Sequence, residues 1–389
     1  MKFGRKIKYL IIYLSLILFC SIGCKKSGPV EPPDPPQPLP DDLALFASID
    51  GNWTGIWVFD TDSLKLIDSL QTISFTSSIE FSPNYSIWYT IVRDHSDNAI
   101  LIAIDARTKN ILQQAITRNP FLISALQGRL LVGYYVKVTE IFDPETFLLI
   151  RADSLGWVDK AIACPKSPKL YLLSQSYNLN DPGPRVVIYD LRDFKIDRTI
   201  ELTDITYRRN RMQSSALAIS PDGKYLFVTV FNWVGGGGYG TFHAIDLTNN
   251  QVVAEYLCGK FSQMGVSPDG RYVYISDPAG YKYMMVPTDH VLRYNIHSLS
   301  MEVFINGLRD IGLAGKMLMI TDQVVIAPDN RTMFLTFMGD AHTTDGKQVH
   351  MIKLDILTKK VLGIYSIPPD YRGYITQIIV KLKLGKYPQ

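Results

Sequence analysis

The segment "AISPDGKYLFVTV", residues 218–230, returns as "GVSPDGRYVYISD" at 265–277 and in altered form as "VIAPDNRTMFLTF" at 325–337. In each copy a four-residue turn precedes a run rich in aromatic and β-branched residues. Proline presets φ at the second turn position, aspartate suits the third and glycine the fourth, so residues 220–223 and 267–270 read as chain reversals between two strands. Residues 327–330 and 82–85 keep the proline and lose the glycine, and Cys164-Pro165 stands at an equivalent, degraded place. One hairpin corner, used again and again, implies one repeated structural unit.

A second mark counts the units. Each strand after a corner is followed by a loop and a further strand, which ends in an apolar residue and then Asp or Asn. These pairs are Phe59-Asp60, Ile104-Asp105, Phe142-Asp143, Tyr189-Asp190, Ile245-Asp246, Tyr294-Asn295 and Leu354-Asp355. Seven marks, spaced 38 to 60 residues apart, predict seven four-stranded units. No long helical periodicity competes with the short alternating runs, so the body is expected to be all-β. Periods of this size in an all-β chain predict a seven-bladed β-propeller. "LALFASIDG" leads straight to the first mark without an earlier strand, whereas "YITQIIVKLKL", residues 374–384, is left over after the seventh unit. The C-terminal strand is therefore expected to close the ring as the innermost strand of blade one.

With these marks in place, residues 43–389 resemble the YVTN-repeat β-propellers, most clearly in blades five to seven. Phe227-Val228-Thr229-Val230 and Tyr274-Ile275-Ser276-Asp277 stand where that family has its signature. The resemblance implies the seven-bladed scaffold but no single activity, because a scaffold of this kind hosts unrelated functions.

The first residues, "MKFGRKIKYLIIYLSLILFCSIGC", combine a basic start, an apolar run too short for a stable membrane-spanning helix, and small residues before a cysteine. This layout resembles a bacterial lipoprotein signal, with Gly23 before a lipidated Cys24. Residues 1–23 are thus expected to be a signal peptide and residues 24–42 a spacer. The spacer stretch "KKSGPVEPPDPPQPLPDD" holds seven prolines, and at ~3.1 Å per residue in polyproline II it would set the body some 50 Å from its anchor. The expected location is the bacterial cell envelope, lipid-anchored and outside the cytoplasm.

The whole chain has 40 basic and 37 acidic residues. Loss of residues 1–23 removes Lys2, Arg5, Lys6 and Lys8 and no acid, leaving 36 against 37. The mature chain is thus nearly neutral, and no nucleic-acid partner is expected. Cys164 and Cys258 remain in the body, at positions assigned to opposite faces of the disc, and are expected to be free thiols.

Loops on a propeller carry specificity while the blades carry stability. The connections between blades hold Arg118, Trp157, Arg208, Arg209, Arg211, Phe261, Arg309, Tyr371 and Arg372. Arginine offers a planar donor fork for carboxylate or phosphate, and aromatic rings stack on sugars. These nine residues are the expected ligand-binding set. The glycines at 235–238 are not followed by the Lys-Ser or Lys-Thr of a phosphate loop, and the six histidines show no zinc spacing. No metal, cofactor or local catalytic motif is expected. The preferred reading is a monomeric, non-enzymatic, lipid-anchored propeller that binds an envelope protein, glycan or other anionic ligand through its loop face. The alternative implied by the family resemblance is a lactonase-like hydrolase with its active site at the central mouth.

Overall fold

The fold is seen in a computed structural model that describes residues 43–382 except for the segments 52–54, 72–78, 83–85, 94–98, 118–119, 127–128, 135–137, 156–157, 175–183, 203–211, 233–239, 260–261, 278–289, 314–317, 340–348 and 368–372. The expected signal peptide and spacer, residues 1–42, lie outside the described residues. The described chain forms seven four-stranded antiparallel sheets, the blades of a β-propeller. Beyond strands and turns, the described residues contain one short 3-10 turn, Leu308–Ile311.

Blade five shows the unit most plainly. Its strands run Met212–Ile219, Tyr225–Asn232, Gly240–Asp246 and Gln251–Cys258, from the inside outwards. The corner at 220–223 closes with Gly223 N donating to Ser220 O at 2.8 Å, and Gly223 has φ 73°. That left-handed backbone is why glycine holds the fourth position. Ser220 Oγ donates to Asp222 Oδ1 at 2.6 Å and accepts from Tyr225 N at 2.9 Å. Ser267 repeats both contacts with Asp269 and Tyr272, at 2.7 and 2.9 Å. The repeated phrase is therefore a repeated hydrogen-bond pattern. Blade seven has Ala327 in place of the serine, and there Thr332 Oγ1 donates to Asp329 Oδ2 at 2.7 Å.

The Asp marks have an equally local cause. Asp105 Oδ1 accepts from Arg107 N, Thr108 N and Thr108 Oγ1, and Asp60 and Asp143 do the same in blades one and three. The carboxylate thereby satisfies the turn that joins the third strand to the outer one. Asn295 fills the role in blade six with Oδ1 alone, accepting from His297 N and Ser298 N at 3.0 Å each.

The ring closes as the leftover strand requires. Gly373–Leu382, slightly shorter than the expected 374–384, pairs antiparallel with Leu43–Gly51 from Leu43↔Leu382 to Gly51↔Gly373. It is the innermost strand of blade one. A second link spans the same seam, where the buried ammonium of Lys353 in blade seven meets Asp62 Oδ1 in blade one at 3.1 Å.

The core lies between blades. Seven buried apolar clusters each draw on two consecutive blades, so every junction has its own. Phe227 and Phe242 of blade five, for example, pack on Tyr294 of blade six with ring centroids 6.0 and 4.9 Å away. Burying such a side chain contributes about 1.5–3 kcal/mol. Nearer the axis the strands crowd, and a Cβ on Gly265 would fall 2.6 Å from Val324 O of the next blade. Cys164 and Cys258 form no disulfide and are buried in different junctions, four to five and five to six.

Two predictions follow from this arrangement. Deleting residues 374–389 exposes inner backbone edges in blade one and should abolish cooperative thermal unfolding; a truncated protein that melts like the full chain would contradict ring closure. The second concerns acid. Hydrogen bonds from the backbone and hydroxyl of Thr108 hold Asp105 below the ordinary carboxylate range, and those from Thr146 do so for Asp143. A depressed folded value means that this stability is complete above about pH 4 and is lost as pH falls further. Asp105→Asn with Asp143→Asn keeps the Oδ1 acceptor, as Asn295 does natively, so the fall in melting temperature between about pH 5 and pH 3 should shrink. An unchanged acid limb would show that these turn carboxylates are not its source.

Candidate functional site

Antiparallel blades place their connections on two faces. The links from second to third strand, and from each outer strand to the next blade, share the loop face. The corners and the Asp turns share the opposite one, the corner face. Of the nine expected ligand-binding residues, Arg309 is described. It is exposed on the 3-10 turn Leu308–Ile311, in the connection from blade six to blade seven. Asp310 Oδ2 pins that turn by accepting from Asn306 N at 2.8 Å.

The other eight, Arg118, Trp157, Arg208, Arg209, Arg211, Phe261, Tyr371 and Arg372, lie outside the described residues. Their flanks are described. Leu155 and Val158, both buried, bracket the segment with Trp157; Leu202 and Met212 bracket the arginine cluster. Next to Phe261, the buried Ser262 gives its carbonyl to Thr229 Oγ1 at 2.8 Å. Every one of the nine thus belongs to an inter-blade connection, but no contact between them is established. His243 is fully buried with Nε2 3.5 Å from Glu255, and His350 Nδ1 lies 2.7 Å from Ser366 Oγ. Both sit within third strands, as packed residues of the blades.

The corner face holds a feature that the sequence reading missed. Four residues after each Asp or Asn mark comes a residue with left-handed φ, between 53° and 62°: Leu64, Lys109, Phe147, Phe194, Asn250, Leu299 and Lys359. For a residue other than glycine this backbone is unfavourable by roughly 1–2 kcal/mol. The side chain shows what offsets the strain, because at most blades it plugs the junction with the blade before. Leu64 reaches the cluster shared with blade seven, Phe147 lies 6.2 Å from Tyr89 of blade two, and Phe194 and Leu299 join the clusters at their own junctions. Lys109 is a polar plug, its ammonium 3.9 Å above the Trp88 ring and 2.8 Å from Asp68 of blade one.

Lys359 plugs the junction between blades six and seven differently. Its ammonium lies 4.9 Å from the ring of Phe304 on the outer strand of blade six, Ser300–Asn306, with no acidic partner among the described residues. Beside it opens a cleft of about 590 Å³. The corner of blade six forms one wall through Asp269 and Arg271, and the corner of blade seven another through Asn330 and Arg331. Asp269 N donates to Asn330 Oδ1 at 2.7 Å and ties the two corners together.

Four cations line this cleft against two carboxylates. Arg293 stacks on Tyr272 and Phe304, at 4.7 and 5.0 Å, and donates through Nε to Glu302 at 2.7 Å. Arg331 directs Nε and Nη2 to Asp355 Oδ2 at 3.0 and 2.9 Å. Burial alone would raise the Asp355 carboxyl, but the Arg331 guanidinium and the Thr358 and Leu357 amides hold it below the ordinary value. Those two arginines are fixed by protein partners. Arg271 is freer, with its side chain two-thirds exposed and Nε 3.4 Å from Asp269 Oδ2. Tyr274, buried against the same wall, has its phenol raised by burial, with Arg293 opposing. Chemically, the cleft offers fixed positive charge on a partly aromatic surface.

No protein-family model matches the sequence. A 102-residue segment is 31% identical to Antigen Lp49 of Leptospira interrogans serogroup Icterohaemorrhagiae serovar copenhageni, strain Fiocruz L1-130, and covers 24% of this chain. The match spans about a fifth of that relative's length, 21%. Among solved structures, Kuenenia stuttgartiensis hydrazine synthase superposes with a TM-score of 0.55 at 12% identity, over 87% of this chain and 99% of the other. At that identity the likeness is one of fold, and it places this chain among seven-bladed β-propellers.

Proposed function

We propose that the protein is a non-enzymatic binding propeller of the YVTN-repeat type, held to a bacterial envelope membrane by lipid on Cys24, that presents its loop face to an anionic ligand. The supporting observation is the polarity of the ring. Ala44 pairs with Asp60, and Thr61 Oγ1 donates to Leu43 O at 3.4 Å, so the chain enters blade one at the corner-face end. The proposed tether would join the ring at that end, away from the loop face. That face carries the inter-blade connections, with Arg309 exposed on one of them. The ligand is a glycan or an envelope protein bearing carboxylate, phosphate or sulfate groups, which the arginine forks recognise.

Two measurements test this reading. Cys24→Ser should release the protein from membranes; retention after a carbonate wash would refute the lipid anchor. Replacing Arg208, Arg209 and Arg211 by Gln should leave the melting temperature nearly unchanged, since exposed charge pairs contribute only ~0–1 kcal/mol. The same change should reduce binding to an array of sulfated, phosphorylated and uronic-acid glycans, because a charge-assisted hydrogen bond contributes roughly 1.5–3 kcal/mol. Lost stability with intact binding would assign these arginines to the fold. Turnover of a lactone panel by the purified protein would favour the hydrolase alternative.

A further inference from the structure

We infer that the cleft between blades six and seven is a second ligand site, on the corner face, for a hexose-sized ring that bears a carboxylate or phosphate. It is separate from the loop-face reading and does not depend on it. The first ground is the plug. At the junctions before blades one, three, four and six the left-handed residue is Leu or Phe and packs into apolar surroundings. At the junction before blade seven it is Lys359, and a cavity of about 590 Å³ stands beside it. An open cleft of that size suits a ligand of one or two rings.

The second ground is electrostatic. Lys359 and Arg293 both lie within 5.0 Å of the Phe304 ring centroid, so two positive charges share one ring. Glu302 neutralises Arg293, but no carboxylate among the described residues reaches Lys359. Lys109 shows what a plug lysine looks like when the fold alone requires it, for its ammonium is fixed by Asp68 at 2.8 Å. Lys359 lies beside an open space, with the weakly held guanidinium of Arg271 on the same cleft. An incoming oxyanion would bind both and relieve the repulsion between Lys359 and Arg293. The tie between Asp269 N and Asn330 Oδ1 holds the two corners, so the site is formed before the ligand arrives.

The test uses the full-length protein in non-ionic detergent, with glucuronate and glucose 6-phosphate as the two anionic probes and glucose as the neutral one. Lys359→Leu installs the plug that blades one and six carry natively at Leu64 and Leu299, so it should fold with an unchanged or raised melting temperature. Arg271→Gln alters a largely exposed side chain. By calorimetry at least one anion should bind and glucose should not, and each variant should weaken that binding by about tenfold or more. Absence of binding by both anions, equal binding of glucose, or anion binding that survives both substitutions would overturn the site. The triple variant with Arg208, Arg209 and Arg211 changed to Gln should keep the part of the binding to these probes that Lys359→Leu removes. A loss there would move the ligand to the loop face and overturn the cleft assignment.

Discussion

Everything in this molecule depends on one pairing between the two ends of its described chain. Leu43–Gly51 and Gly373–Leu382 are hydrogen-bonded neighbours, though the rest of the propeller separates them in sequence. A ring of blades has no core of its own at the centre of each sheet, because each apolar surface is shared with the next blade. Without the last strand, blade one would lack its inner edge and the junction with blade seven would lose Ile378 from its packing. Loop closure over so long a segment costs entropy that grows only slowly with length, so the shared apolar surface readily outweighs it. The same pairing fixes where the chain enters the ring.

The junctions are alike in plan and unlike in their plugs. A left-handed residue follows the Asp or Asn mark of each blade, and at most blades its side chain fills the gap at the junction. Leu64, Phe147, Phe194 and Leu299 fill theirs with apolar atoms, and Lys109 fills its own with a stacked, paired ammonium. At Lys359 the plug covers Phe304 and leaves a cleft. Strain at these positions serves packing in most blades, and at one it serves chemistry. Backbone strain alone would not have distinguished the two cases; the charge balance around the side chain does.

Fold was legible because its causes are local. The Ser-Pro-Asp-Gly corners and the Asp marks are self-contained hydrogen-bond patterns a few residues long, so they show directly in the residue order. The closing strand was legible too, by counting: one unit lacked a strand and one strand lacked a unit. The cleft was not, because it depends on contacts between segments far apart, such as Lys359 with Phe304 and Asp269 with Asn330. A signal did exist in the plug position, four residues beyond each mark, where Lys109, Asn250 and Lys359 depart from the leucines and phenylalanines of the other blades. Its meaning required the knowledge that this position faces a junction. The expected loop residues fall on inter-blade connections, but whether they converge is a matter of loop conformation that no repeat encodes.

The two faces thus divide the chemistry. The loop face carries the inter-blade connections, with Arg309 exposed on one of them, whereas the corner face offers one compact site whose walls are set by repeated corners. The central claim is that a second ligand is recognised on the corner face where a repeat is broken, at the open junction between blades six and seven. Hydrogen–deuterium exchange of the full-length protein, with and without saturating glucuronate, tests it most directly. Slower exchange confined to residues 267–272, 300–304 and 356–360 is the predicted result. Protection confined to the inter-blade connections around 203–211 and 368–372, or none anywhere, would contradict it.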